Sequence, residues 1–172
     1  MHDRRSANLL GATALAVTDL MLERVTDDTG IGASAAAALV VLAGSPGLSG
    51  TELGRRVGSS QPAAARMIDT LLRRELVERR PGRGREVAVR LTARGRRAAA
   101  DILTARAEGL AQVLTPLDAS ERDTLATLLG KLLTGLHADI DNADLLCRLC
   151  ERGICAIAAP CPVRDAEPER PG

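Results

Sequence analysis

Residues 49–95 read SGTELGRRVGSSQPAAARMIDTLLRRELVERRPGRGREVAVRLTARG, and the fold of the chain turns on how this stretch is parsed. Ser49 followed by Glu52 is a capping-box pattern, so it predicts the start of a short helix, which Gly58 can end. Ser60 predicts a second start, with Gln61 and Pro62 in its first turn, where the missing proline N–H costs nothing. Along that helix Ala64, Met67, Ile68, Leu71 and Leu72 recur at helical spacing. Gln61, Ala63, Ala65, Arg66, Asp69 and Arg73 are left on the outer faces. Two short helices about a tight turn make a helix-turn-helix. Leu76–Arg79 and Glu86–Leu91 then alternate as strands do, and Pro81-Gly82-Arg83-Gly84-Arg85 supplies the turn between them. The result is a winged helix with arginines at the wing tip.

Outward from this centre the pattern is helical on both sides. From about Arg5 to Val25, Leu10, Ala14, Val17 and Met21 mark an amphipathic helix. Arg4-Arg5 before the apolar run Ala7–Val17 has the look of a leader peptide. Asn8 and Thr13 interrupt that run, however, and its apolar positions continue through Leu20 and Met21, which favours the helix. Gly30 and Gly32 break it, Ser34 is placed to cap a buried helix over Ala35–Ala43, and Gly44-Ser45-Pro46-Gly47 ends that one. Thr92 is placed to cap a long helix to about Thr115, with Ile102, Leu103, Arg106, Leu110, Val113 and Leu114 on one side. Asp118 or Ser120 then caps a last helix carrying a leucine stripe: Leu125, Leu128, Leu129, Leu132, Leu133, Leu136 and Ile140. Apolar faces at both ends exceed what a small winged helix buries alone, which predicts burial against a second copy. The fold class expected is mainly α with a small β-wing. Its parts are an N-terminal dimerisation helix in 1–32, a winged helix-turn-helix in 33–98, C-terminal dimerisation helices in 99–145, a four-cysteine segment in 146–162 and a disordered tail in 163–172.

Composition narrows the partner. The chain has no Phe, Tyr or Trp, so it lacks the rings that stack on single-stranded nucleic acid or RNA. Its net charge of +1 conceals an uneven distribution: residues 49–100 hold 13 arginines against 5 acids, and the remainder is acidic. A basic centre coinciding with the helix-turn-helix and wing is the footprint of a duplex phosphate-binding face. No stretch is long enough to span a membrane, so a cytoplasmic location is expected.

The central stretch resembles the MarR family of bacterial transcriptional regulators. The matching features are Leu53 in the first short helix, Ser60-Gln61 opening the second, Arg66 followed by Asp69 and Leu71, Leu76-Val77-x-Arg79, and Val89-x-Leu91-Thr92-x-x-Gly95. The family's wing usually carries Asp-x-Arg, the acid holding an arginine that enters the minor groove. Here Arg83 stands in the acid's place and Arg85 in the arginine's. The resemblance implies a homodimer joined through its first and last helices, with a small-molecule effector as one possible switch.

Signals for catalysis are poor. His2 and His137 stand near no nucleophile, residues 47–51 miss the nucleophile-elbow pattern at the last position, and Gly82-x-Gly84 lies in a hairpin. No enzyme is expected. The cysteines are different: Cys147, Cys150, Cys155 and Cys161 form one C-x2-C-x4-C-x5-C cluster behind the leucine helix. In a reducing compartment clustered thiols bind metal or sense oxidants more often than they form structural disulfides. Zinc suits four thiolates, and a [2Fe-2S] cluster is the alternative, since Cys161-Pro162-Val163-Arg164 resembles the end of the cluster motif in SoxR-type regulators. Thiols switching without metal are the third option. Asp139, Asp141 and Asp144 with His137 lack the pattern of a calcium loop and read as solvated linker.

The function expected is a dimeric regulator of double-stranded DNA on a pseudo-palindromic operator. Gln61, Ala63 and Arg66 would face the major groove, Arg83 and Arg85 would sit in or beside the minor groove, and Ser49 and Ser60 would hold phosphates at helix N-termini. A cysteine segment following the dimerisation helix could then alter the spacing of the two reading heads. The alternative is a metal-binding or thiol-redox protein whose winged helix serves protein contacts.

Overall fold

The computed structural model describes residues 2–82, 86–140, 142–155 and 160–163. The chain runs α1 (His2–Thr29), α2 (Ala33–Gly44), β1 (Leu48–Ser49), α3 (Gly50–Arg56), α4 (Gln61–Arg73), β2 (Val77–Pro81), β3 (Val87–Leu91), α5 (Ala93–Val113), α6 (Ala119–Asp139), α7 (Ala143–Leu146) and α8 (Arg152–Cys155). The predicted mainly helical winged fold is therefore present, with most boundaries within a few residues.

The core gathers around α2, whose Ala36 to Leu42 are all buried; Leu39, Leu42, Leu53, Leu71, Ile102 and Val25 are its largest fully enclosed side chains. Each aliphatic side chain so enclosed contributes about 2 kcal/mol relative to exposure, and the core reaches this without a single ring. Ser34, expected to cap α2, lies inside it, and Gly32 holds the cap position without a side-chain bond. The first turn consequently lacks a side-chain acceptor, and the burial of the helix supplies its stability.

Three strands form the sheet, in the order β1-β3-β2. The wing hairpin pairs Val77 with Leu91 and Pro81 with Val87, and the Gly82 amide donates to the Glu86 carbonyl at 2.8 Å. The short β1, which the sequence reading had not resolved, pairs Leu48 with Val89 and Ser49 with Ala88. It anchors the start of α3 to the root of the wing. Two residues carry too little alternation to be read as a strand.

Thr92 caps α5 as expected, its hydroxyl accepting from the Gly95 amide at 3.0 Å and donating to the Glu75 carbonyl at 2.7 Å. Asp118 and Glu121 form a full reciprocal capping box at the start of α6. No side chain of α6 is buried, and Leu128, Leu129, Leu132 and Leu136 remain between 44% and 51% exposed. The N-terminal half of α1 is likewise exposed, with Leu9, Leu10 and Leu15 open, while its C-terminal half packs on α5 around Gly109. No described helix is long and apolar enough to cross a membrane.

The helix expected from Thr92 to about Thr115 runs from Ala93 to Val113, and α7 begins at Ala143, just ahead of the four-cysteine segment. Val163, expected in the tail, is 3% exposed. Residues 164–172 lie outside the described residues.

Candidate nucleic-acid interface

Helix α4 presents its N-terminal half beside the wing. Gln61, Ala65, Arg66, Asp69 and Arg73 are exposed, Ala63 is half-buried, and Ala64, Met67, Ile68 and Leu71 face the core. The division follows the helical repeat, and it puts the polar residues of α4 on its open side. An open groove of about 660 Å³ runs between α3, α4 and the wing, lined by Ser49, Gln61, Ala65, Arg79 and Glu86 among others. Arg83 and Arg85 lie outside the described residues.

Arg66 does not pair with Asp69, three residues on along α4. Asp69 binds Arg79 of β2 at 3.1 Å, tying α4 to the wing, and no described residue pairs with Arg66. The guanidinium of Arg66 is thus left unengaged on an exposed face.

The two serines also differ from each other. Ser49 caps α3, its oxygen accepting from the Glu52 amide at 3.2 Å. The reciprocal half of that capping box is not formed, because the Glu52 carboxylate is taken by Arg55 at 2.8 Å and Arg56 at 2.7 Å. Ser60 holds the cap position of α4 with extended backbone, but its hydroxyl makes no capping bond. That leaves the hydroxyl beside the α4 N-terminus for an outside acceptor. Helix N-termini carry partial positive charge and unsatisfied amides, which suits a phosphate.

Glu52 has a measurable consequence. The hydrogen bonds from Arg55 and then Arg56, against the opposing effect of burial, hold its carboxyl at about 2, well below the ordinary 4.5. A depressed carboxylate stabilises the fold above its unfolded value, and that contribution is lost as pH falls from about 4.5 through about 2. Because Glu52 is a third exposed, solvent screening limits the effect to about 1 kcal/mol. Urea unfolding of Glu52→Gln should show that deficit at pH 6, and the gap to the parent chain should close on acidification. A gap unchanged at pH 2 would assign the deficit to packing.

Residues 29–86 match the MarR family model. The match spans about a third of the chain, from the end of α1 through β2. No curated protein sequence matches the chain. MepR, a transcription regulator of the Staphylococcus aureus multidrug efflux pump MepA, superimposes with a TM-score of 0.67 at 17% identity, over 76% of this chain and 97% of its own. The Mycobacterium tuberculosis MarR family protein RV2887 does so with a TM-score of 0.62 at 25% identity, over 76% and 95%. Its complex with salicylic acid gives 0.56 at 28% identity, over 72% and 95%. The fold is that of MarR-family transcription regulators, and the sequence match ends well before the cysteines.

The cysteine segment docks on the DNA-binding part of its own chain. The Asn142 side-chain amide donates to the Arg55 carbonyl at 2.9 Å, and Asp144 accepts from Arg55 at 3.2 Å and Arg152 at 2.8 Å, with Arg56 at 3.4 Å. Asp144, expected in a solvated linker, is instead the centre of an ion-pair network. Leu145 sits against Gly58, the left-handed residue of the helix-turn-helix turn (φ 69°), so closely that a β-carbon there would stand 2.7 Å from its methyl. Leu149 and Val163 are buried.

All four cysteines line one cavity of about 50 Å³ together with Asp144 and Arg152. Cys147, Cys150 and Cys161 are half-buried and Cys155 is exposed. A hydrogen bond with the Cys150 thiol holds the pKa of Cys147 below the ordinary thiol value, while that of Cys150 is pushed up by the same bond and by burial. Cys155 is pushed up to about 11, by burial first and then by the charges of Cys150 and Cys161. Arg106 of α5 lines the adjoining cavity of about 280 Å³ with the same four cysteines, and its buried Nε has no hydrogen-bond partner among the described residues. Among the described residues no three His, Cys, Asp or Glu side chains have the spacing of a formed metal site.

Proposed function

We propose that the chain acts as a homodimer on a pseudo-palindromic duplex operator, with α4 of each protomer in a major groove and the wing beside the adjacent minor groove. The observation that carries this is the exposed, unpaired Arg66 on a helix that Asp69 ties to the wing. An unpaired guanidinium can give guanine both of its donors, and Gln61 can do the same for adenine. Ala63, half-buried beside them, fits a close approach to a thymine methyl. Ser49 and Ser60, with the amides of α3 and α4, hold phosphates and set the register. Arg83 and Arg85 supply charge to the minor groove.

Two substitutions separate base reading from charge. Arg66→Ala should cost about 1–3 kcal/mol on the operator and relax preference at one base pair, leaving binding to random duplex nearly unchanged. Arg85→Ala should weaken operator and random duplex alike by several-fold and lower the slope of log affinity against log salt by about 1. The check is a salt titration by fluorescence anisotropy on both duplexes. Equal losses for Arg66→Ala on operator and random DNA would remove α4 as the reader.

Two inputs could switch such a regulator. The salicylic acid complex of RV2887 makes an aromatic carboxylate a reasonable effector class to test here. The cysteines are the second input, as a zinc site, a [2Fe-2S] site or a metal-free thiol switch. The donor set fits a soft metal, since four thiolates from one short segment close a tetrahedral site.

A further inference from the structure

The buried Nε of Arg106 without a partner is the exception that needs an explanation. Buried polar atoms are nearly always satisfied, and an arginine Nε without a partner among the described residues, beside four thiols, points to a missing anion. A tetrathiolate metal site is such an anion. When four neutral thiols take up one divalent ion, four protons leave to solvent, four sulfur–metal bonds form, and the product carries a net charge of −2. No electron is transferred. Placing that charge in a partly buried site requires cations close by. Arg106 approaches from α5, and Arg152, already on Asp144, lines the sulfur cavity itself.

Four thiolates from one short segment close a tetrahedral site around a single ion. Location supplies the consequence. Helices α7 and α8 have four residues each, far below the length at which a helix holds itself, so a local cross-link is what would fix this segment. The residues immediately before Cys147 are those that grip α3 and the turn after it: Asn142 and Asp144 on Arg55, and Leu145 on Gly58.

Building on the reading of the cysteines as a soft-metal site, we propose that Cys147, Cys150, Cys155 and Cys161 bind one zinc-class divalent ion, with Arg106 as charge partner of the tetrathiolate, and that the loaded segment is a clip holding α3 and the 57–60 turn of the DNA-reading head. The signal thus enters each head within its own protomer. Loss of the ion frees α3, and the spacing of the two heads in a dimer need not change.

The test uses the full chain purified without oxygen, with no DNA present. Metal analysis should give one zinc per chain and no visible absorption. Hydrogen exchange before and after a strong chelator should show at least tenfold faster exchange in residues 50–60 and 142–155 on zinc removal, with α6 unchanged. Arg106→Gln should weaken zinc by tenfold or more at the same stoichiometry, and Arg106→Lys should restore most of that loss. Asp144→Asn should still bind zinc but lose the protection of α3, which separates the clip from the site. Iron with sulfide, a metal-free chain, or α3 protection indifferent to zinc would each overturn the proposal. Because DNA takes no part, a failure to bind an operator would leave these results standing, and a failed zinc site would leave operator reading intact.

Discussion

A chain with Leu128 and Leu132 both replaced by glutamate is expected to sediment as a monomer and to bind a full operator about 100-fold more weakly, at roughly the affinity of a half-site. The leucines lie one helical turn apart on α6, and with Leu129 and Leu136 they leave a continuous apolar strip about half exposed. Proteins that remain monomers seldom show such a strip, whereas a two-fold interface covers it with its own copy. Two glutamates from each protomer would meet their symmetry mates across that seam, so repulsion and desolvation act together. The affinity loss follows from linkage. In a dimer the second head binds at the effective concentration set by the first, and separating the heads forfeits a factor of about 10²–10⁴. The heads of a two-fold dimer should sit about one DNA turn, ~34 Å, apart, so inserting five base pairs between half-sites should be as damaging as the double substitution. The fold itself should be untouched, because no α6 side chain belongs to the core. Sedimentation of the variant, with circular dichroism as the control, decides the matter. A persistent dimer would move the interface to α1 or elsewhere.

How far the sequence carried this picture depends on the length over which each signal acts. The helical repeat of α4, the Thr92 cap and the alternation of the wing strands are local patterns, and all stand in the structure where they were expected. Side-chain partners were less legible. Glu52 and Ser49 satisfy the letters of a capping box, yet two arginines within one turn outcompete the Ser49 amide for the carboxylate. Asp69 passes over Arg66, three residues away on its own helix, for Arg79 across the β2 junction. Asp144 and Arg106 were missed for the same reason. Asp144 meets Arg55 across 89 residues, and Arg106 meets the cysteines only because α5 and the C-terminal segment are brought together. A charge in sequence advertises its sign and not its partner. The cysteine spacing was plain, but the attachment of that segment to α3 required the fold.

Gly95→Ala is expected to destabilise the chain by about 3 kcal/mol or more, lowering the melting temperature by roughly 6–12 °C for a protein of this size. Gly95 is buried in the first turn of α5, directly beneath the backbone where α4 turns into β2, and a β-carbon there would collide with the Leu76 carbonyl. Backbone cannot rotate away as a flexible side chain can. That carbonyl also accepts from the Thr92 amide at 3.1 Å and from its hydroxyl at 3.3 Å, so displacing it undoes the cap of α5 as well. Glu75, immediately before, already holds a left-handed φ of 57° without being glycine, and leaves the turn little freedom to absorb the shift. A control is available on α6: a β-carbon at Gly135 meets nothing within 4 Å, so Gly135→Ala should be neutral or stabilising by up to about 1 kcal/mol through helix propensity alone. The functional reading goes further than stability. Leu76 joins the reading helix to the wing, so relocating it changes the angle between them. Operator affinity of Gly95→Ala should therefore stay below that of the parent chain even at temperatures where both are fully folded, as circular dichroism would establish. Full recovery of affinity in the cold would show that the clash acts on the folding equilibrium alone, and that the wing takes its position independently of α5.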